Sequence, residues 1–118
     1  MGSEMCIRDS SSGEEIRGCD LDRVTRGVIT DAGYGDYFVH RTGHSLHECI
    51  HGNGAHHDDF ETYDDRKLIP GTLFTVEPGI YMPHVGIGIR SEVDVYHTGQ
   101  GAEVTGPPHQ EELVRIEV

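Results

Sequence analysis

Apolar and polar positions follow two different periods along the chain, and each period predicts one kind of element. Over residues 14–32, apolar residues recur three or four positions apart, as on one face of an α-helix. We expect Gly18 to divide this helix into a short and a longer piece, Asp20 to be the N-cap before Leu21, and Gly33 to end it. The apolar stripe consists of Ile16, Leu21, Val24, Val28 and Ile29.

The second half of the chain alternates apolar and polar residues with a period of two, which predicts β-strands. The predicted strands are residues 72–77, 80–81, 86–96 and 113–118, with a loop over 97–108. The helical pattern comes first and the strands follow, with no alternation of strands and helices. The predicted fold class is therefore α+β with a mainly antiparallel sheet.

Charge and composition argue against several classes of function. The 118 residues allow one domain at most, and 35% hydrophobic residues without tryptophan make a thin core. The formal net charge of −12 argues against nucleic acid or an anionic membrane as a partner. No apolar run approaches the roughly 18 residues of a membrane span. Three cysteines without a CxxC pair predict free thiols and a cytoplasmic location.

Two further charge patterns predict solvated surface. Residues 58–67 carry many carboxylates at close spacing, so we expect an exposed acidic loop and not a metal site. Asp22 and Arg26 are four positions apart, and we expect them to pair on the exposed side of the helix. Residues 1–13 are polar and lack periodicity, which predicts a disordered or non-native tail before the folded residues 14–118.

The densest candidate chemistry is a histidine-rich stretch with His40, His44, His47 and His51. Neutral imidazole is a common metal ligand and a common acid or base near pH 7. Residues 47–51 read HECIH and match the HExxH zinc motif, which requires a stable helix to place both histidines on one face. Glycines on both sides leave room for about one helical turn, so we disfavour this zinc site.

A second hypothesis draws on the whole chain. His44 lies in a glycine-flanked loop, while Glu77 and Glu92 lie in predicted strands. If these strands pair, the three side chains can converge on a metal with an open coordination position. Arg90 would point to the same face as Glu92 and could orient its carboxylate.

The motifs HRTGH, TVEPGIY and GIRSEVDVY, with His51 after the first, occur in one order and spacing. This arrangement resembles the pita-bread metallopeptidases, which include Xaa-Pro aminopeptidases, prolidases, creatinase and methionine aminopeptidases. The resemblance runs from about Gly18 to the C-terminus and is strongest to the Xaa-Pro branch. It implies a partial pita-bread fold and a metal-dependent exopeptidase that hydrolyses the bond before proline in short peptides.

The resemblance also implies roles for individual residues. His44 and Glu77 would ligate one metal, Glu77 would handle the proton of the attacking water, and Glu92 would bridge two metals. The two divalent ions would be manganese or cobalt, with zinc or iron as alternatives. His51 would stabilise the oxyanion and His40 would contact the substrate near the scissile bond. Arg90 would support the Glu92 region, and the assembled enzyme would be a homodimer.

The chain departs from the family pattern where the family has two aspartate ligands upstream of His44. The aspartates present lie too close to His44 to replace them, so we expect residues 14–118 to be the C-terminal half of a catalytic domain, inactive alone. Part of residues 1–13, MCIRDS, resembles translated sequencing-adapter read-through. A non-catalytic pita-bread binding domain remains the alternative. His47 replaces a common glycine, and its role stays open between pocket lining and structural filler. The other histidines are expected at the surface: His56, His57, His84, His97 and His109.

Overall fold

The computed structural model describes residues 15–117, so the predicted tail over residues 1–13 lies outside the described residues. One helix is followed by six short strands. The elements are α1 (Gly18–Asp31), β1 (Ser45–Leu46), β2 (Leu73–Val76), β3 (Gly79–Met82), β4 (Ile87–Arg90), β5 (Val93–His97) and β6 (Ala102–Val104). One helix with antiparallel sheets confirms the predicted α+β class.

Helix α1 begins at Gly18, so residues 15–17 of the predicted helix are not helical and the longer piece starts before its predicted N-cap, Asp20. Arg17 is the N-cap, and the carboxylate of Asp20 accepts a hydrogen bond of 2.9 Å from the Arg17 backbone N–H. Asp20 therefore caps from inside the first turn, so its prediction as N-cap was wrong, as was the break at Gly18. A Cβ at Gly18 would lie 1.9 Å from the carbonyl oxygen of His56, so the helix can start against this loop only with glycine. Gly33, with φ of 90°, ends the helix as predicted.

The main sheet has the strand order β1-β2-β5-β6, and all its pairs are antiparallel. Alternating residues of β2 and β5 pack beneath α1, as the period of two predicts. The core is small. Of the predicted helix stripe only Leu21 is fully buried, and Val28 is 64% exposed. The buried core consists of Leu21, Phe74, Val76 and Val95.

Strands β3 and β4 form a separate two-stranded hairpin. The prediction of one strand over residues 86–96 was wrong, because the chain leaves the hairpin at Arg90 and enters the main sheet at Val93. Directly opposed residues of an antiparallel pair share a face. One face of the hairpin carries Gly79, Tyr81, Gly88 and Arg90, and the other carries Ile80, Met82, Ile87 and Ile89.

The C-terminal alternation does not form a strand in the part of the chain that the structure describes. Leu113 and Ile116 are 93% and 87% exposed, so the predicted closing strand over 113–118 was wrong up to residue 117. Strand β6 instead lies inside the predicted loop over 97–108 and pairs with β5. The free edge of β5 is thereby occupied, and an alternating segment needs a partner edge to become a strand.

Among residues 15–117, no helix has the length and apolar character needed to cross a membrane.

Candidate active site

Helix α1 anchors the histidine-bearing segment through a buried ion pair. Asp22 is fully buried and accepts hydrogen bonds from the backbone N–H of Thr42, at 2.9 Å, and from its hydroxyl, at 2.8 Å. The Arg26 guanidinium pairs with Asp22 at 3.0 Å and donates to the carbonyl oxygens of Phe38 and His40, each at 2.8 Å. The pairing of Asp22 with Arg26 is confirmed, but its placement on the exposed side was wrong.

The HRTGH motif docks on strand β2. A Cβ at Gly43 would lie 1.9 Å from the carbonyl oxygen of Thr75, so only glycine permits this approach. Next to it, the backbone N–H of His44 donates to the Thr75 hydroxyl at 3.0 Å, and the Thr75 N–H donates to the His44 carbonyl at 2.8 Å. These contacts fix the position of the His44 imidazole relative to β2.

Two of the three predicted metal ligands, His44 and Glu77, lie in direct contact. The His44 Nε2 lies 3.1 Å from the Glu77 Oε1, and both side chains are mostly buried. The Thr75 hydroxyl donates to the same carboxylate oxygen at 2.9 Å. On the far side of the ring, His44 Nδ1 lies 3.1 Å from the carbonyl oxygen of Ser45. A carbonyl only accepts, so in the neutral ring Nδ1 carries the proton and Nε2 presents its lone pair to the carboxylate.

This donor set fits a divalent cation. Two acceptor atoms that face each other at 3.1 Å need a positive charge between them, either a proton or a metal ion. A metal-ligating histidine commonly donates its other ring N–H to a backbone carbonyl, as His44 does to Ser45. Ligating carboxylates are in turn held by hydrogen bonds, as Glu77 is by Thr75.

The third predicted ligand, Glu92, lies beside Arg90 and not beside His44. The Arg90 guanidinium is 3.3 Å from the Glu92 carboxylate, and both side chains are about half exposed. The sheet register pairs Val76 with Val93, so Glu77 and Glu92 flank the same end of two neighbouring strands. Across residues 15–117, no three His, Cys, Asp or Glu side chains are close enough to hold a metal. The three-ligand set therefore stays a prediction.

His40 and His51 lie around the same open cavity as His44 and Glu77. The cavity has a volume of about 230 Å³, and Arg90 also lines it. The His51 ring lies edge-on to the His44 ring, with centroids 4.4 Å apart. His40 is half-buried, and its Nε2 lies 2.9 Å from the Tyr81 hydroxyl. Five of the six predicted site residues thus line this cavity, and Glu92 is not among them.

The HExxH stretch forms no helix. Residues 47–51 are a series of bends, in which the His47 backbone N–H donates to the Cys49 carbonyl at 3.1 Å. His47 and Glu48 are exposed, and only His51 of this stretch lines the cavity. The two histidines therefore lack the common helical face that the zinc motif requires, which agrees with the expectation from its flanking glycines.

Two histidines predicted at the surface are buried. His57 is fully buried, with its ring centroid 4.2 Å from that of Phe74, and His97 is 6% exposed. Neither ring nitrogen of His57 has a hydrogen-bond partner among the described residues. Burial, and then the neighbouring His56, lower the pKa of His57 to about 3, so the ring is neutral at pH 7. His84 and His109 are exposed as predicted.

We expect this buried neutral ring to make the fold acid-sensitive. The unfolded state binds a proton at His57 below about pH 6.5 and the native state does so only below about pH 3. Stability therefore falls as the pH drops through this window, by about 1.4 kcal/mol per pH unit. Urea unfolding between pH 7 and 4 should show that the free energy of unfolding of His57→Leu falls less steeply with pH than that of the wild type. An equal slope in both proteins would contradict this, and exposed His109→Leu is the control.

The acidic loop over residues 58–67 is only partly exposed. Asp58 is 1% exposed and accepts hydrogen bonds of 2.9 Å from the backbone N–H groups of Phe60 and Glu61. Asp64 is 6% exposed and pairs with Arg66 at 2.6 Å. Burial alone would raise the pKa of Asp64, but hydrogen bonds from Arg66 and two backbone N–H groups outweigh it and lower the pKa to about 2. The prediction of a solvated loop was wrong for these two carboxylates.

Several residues around the site escaped the sequence analysis. Thr75 precedes Glu77 by two positions in the predicted strand over 72–77, so its shared face with Glu77 was predictable from the alternation. Tyr81 belongs to the motif that carries Glu77, but its contact with His40 spans 41 positions. Arg41 and Glu61 also line the cavity. No local pattern marks Glu61, because a loop brings it there.

Comparison with known proteins places this site in a family context. The model of metallopeptidase family M24 matches residues 4–99. A putative dipeptidase of Bacillus subtilis is 45% identical over 87 residues, which are 74% of this chain and 23% of that protein. An uncharacterized peptidase of Staphylococcus epidermidis is 43% identical over 86 residues, also 23% of its length. The chain thus spans about a quarter of the length of these relatives.

Solved structures show the same relationship. The prolidase from Pyrococcus horikoshii matches with a TM-score of 0.71 and 28% identity, over 92% of this chain and 31% of that chain. The Xaa-Pro dipeptidase from Bacillus anthracis matches with a TM-score of 0.67 and 36% identity, over 91% of this chain and 30% of that chain. These neighbours have the pita-bread fold, and the described residues correspond to part of it.

Proposed function

Because the chain belongs to metallopeptidase family M24, we propose that it contributes to the active site of a metal-dependent peptidase that cleaves the bond before proline in short peptides. The observation that carries the proposal is the contact of His44 Nε2 with the Glu77 carboxylate at 3.1 Å, in the donor arrangement of a metal site. The neighbours described as a prolidase and an Xaa-Pro dipeptidase support the choice of bond.

The proposed metal ligands of this chain are His44, Glu77 and Glu92. Glu92 would join the other two from the start of β5, where it flanks the same strand end as Glu77. We propose two divalent ions, manganese or cobalt, with zinc or iron as alternatives. When bound, such ions lower the pKa of a bound water and polarise the scissile carbonyl.

The proton transfers are assigned to Glu77. Its carboxylate takes a proton from the attacking water while the water oxygen forms a bond to the carbonyl carbon. As the C–N bond breaks, the same carboxyl group returns the proton to the departing nitrogen of proline. The hydrogen bond from Thr75 to Oε1 holds the carboxylate in place through both transfers.

The cavity wall supplies binding and charge stabilisation. His51, which lies edge-on to His44, would donate a ring N–H to the negative charge that develops on the carbonyl oxygen. Arg90 holds the Glu92 carboxylate through their contact at 3.3 Å. His40 lines the side of the cavity next to Tyr81 and would contact the substrate near the scissile bond. A cytoplasmic location and assembly as a homodimer belong to the same proposal.

The experiment uses the longest natural polypeptide that contains this sequence, called the parent polypeptide below. With manganese, we expect it to hydrolyse an Xaa-Pro dipeptide, to lose this activity with a chelator and to regain it on adding manganese back. The 118 residues alone should be inactive, since the described residues bring together only two ligands. Hydrolysis by the 118-residue chain would contradict this arrangement. A folded parent polypeptide that binds proline peptides without cleaving them would support a non-catalytic binding domain instead.

A further inference from the structure

Tyr81 lies across two glycines of the β3–β4 hairpin. The register pairs Tyr81 with Gly88, and Gly79 lies two residues earlier on the same face. A Cβ at Gly79 would lie 2.4 Å from the Tyr81 hydroxyl oxygen, and a Cβ at Gly88 would lie 3.1 Å from the ring. A side chain at either glycine would crowd the ring, so the two glycines leave room for Tyr81 to lie across this face.

In that position the Tyr81 hydroxyl meets the imidazole of His40. The oxygen lies 2.9 Å from His40 Nε2, and the ring centroids are 5.4 Å apart. The second ring nitrogen, Nδ1, lies 2.7 Å from the carbonyl oxygen of Arg41. On its other side the His40 ring packs edge-on against Phe38, with centroids 5.3 Å apart.

These contacts determine where the proton of His40 resides. The Arg41 carbonyl can only accept, so Nδ1 carries the proton in the neutral ring. Nε2 must then accept, and the Tyr81 hydroxyl donates to it. Turning the ring by 180° would exchange both nitrogens for carbons and break both hydrogen bonds.

We propose that Tyr81 is the positioning residue for His40, which it fixes in one ring orientation and in the tautomer protonated at Nδ1. This inference rests on the proposed function only where it concerns catalysis, because the tautomer is a property of the folded chain. His40 therefore lines the cavity with both of its ring nitrogens already engaged in hydrogen bonds. Its contribution to substrate binding comes from a fixed shape and not from a free ring nitrogen.

The direct test is nitrogen NMR of the parent polypeptide labelled at histidine. At pH 7.5 we expect His40 to show a protonated Nδ1 and an unprotonated Nε2 in a single state. In Tyr81→Phe, which keeps the ring and removes the hydroxyl, the Nε2 resonance should shift, because its hydrogen bond is lost. Tyr96→Phe, at a tyrosine that is 39% exposed, should leave His40 unchanged. Protonation at Nε2, averaging between tautomers, or an unshifted Nε2 in Tyr81→Phe would overturn the proposal.

A kinetic test separates this role from a merely structural one. Loss of one hydrogen bond should lower kcat/KM of Tyr81→Phe on an Xaa-Pro dipeptide by roughly two- to tenfold. If Tyr81 acts through His40, this reduction should vanish in a His40→Gln background. An undiminished reduction there would overturn the proposal. If no variant or wild type is active, the proposed function fails while the NMR result still decides the role of Tyr81.

Discussion

Replacing Glu77 with glutamine should lower kcat/KM of the parent polypeptide on an Xaa-Pro dipeptide by roughly 10²- to 10⁴-fold, the usual contribution of a general acid–base group. The amide keeps the size of the side chain but cannot take a proton from water. It also removes the negative charge that faces the His44 Nε2 at 3.1 Å. Steady-state kinetics with saturating manganese measure the effect.

The matched control is His47→Ala. His47 is exposed and lies in a stretch without helical structure, so its loss should leave kcat/KM within about twofold, as for a surface residue. The zinc-motif hypothesis makes the opposite prediction, because it needs both His47 and His51. A fully active Glu77→Gln protein would therefore contradict the proposed proton transfer, and an inactive His47→Ala protein would revive the HExxH site.

Replacing Asp22 with alanine should lower the free energy of unfolding by roughly 3 kcal/mol, the lower end of the cost of breaking a buried ion pair. The change removes the acceptor of four hydrogen bonds, two from Arg26 and two from Thr42. It also leaves the Arg26 guanidinium, which is only 20% exposed, without its counter-ion. Urea unfolding of the parent polypeptide measures the loss.

Asp31→Ala is the matched control, because Asp31 lies at the exposed end of the same helix. We expect it to leave the unfolding midpoint nearly unchanged. The Asp22→Ala protein should also lose activity under conditions where it remains folded, because Asp22 and Arg26 hold the backbone that carries His40. An unfolding midpoint equal to that of Asp31→Ala would show that the pair does not anchor this segment.

The sequence predicts strands correctly where the apolar side of the alternation packs into the core. Strand β2 and the second part of the predicted strand over 86–96, which is β5, follow the alternation, because Phe74 and Val95 face one core beneath Leu21. The residues at 113–117 alternate equally well but form no strand and remain exposed, since a strand also requires a partner edge. An edge is a property of the whole sheet, and no local pattern reports it.

Some features of the candidate site were likewise predictable from the sequence, and others were not. The motifs single out His44 and Glu77 as candidate ligands, and the structure brings their side chains into contact. The burial of Asp22 was not predictable from its spacing to Arg26, because it depends on a loop that covers the pair from 20 residues away. His57 resembles any loop histidine in the sequence, and its burial against Phe74 depends on tertiary packing.

The most direct test of the central claim, that this chain supplies metal ligands from His44 and Glu77, is anomalous X-ray diffraction from crystals of the parent polypeptide grown with manganese. We predict an anomalous peak within coordination distance of the His44 Nε2 and the Glu77 carboxylate. Glu92 should approach the same peak while its carboxylate keeps the contact with Arg90. Manganese bound only elsewhere, or held by His47 and His51, would contradict the account.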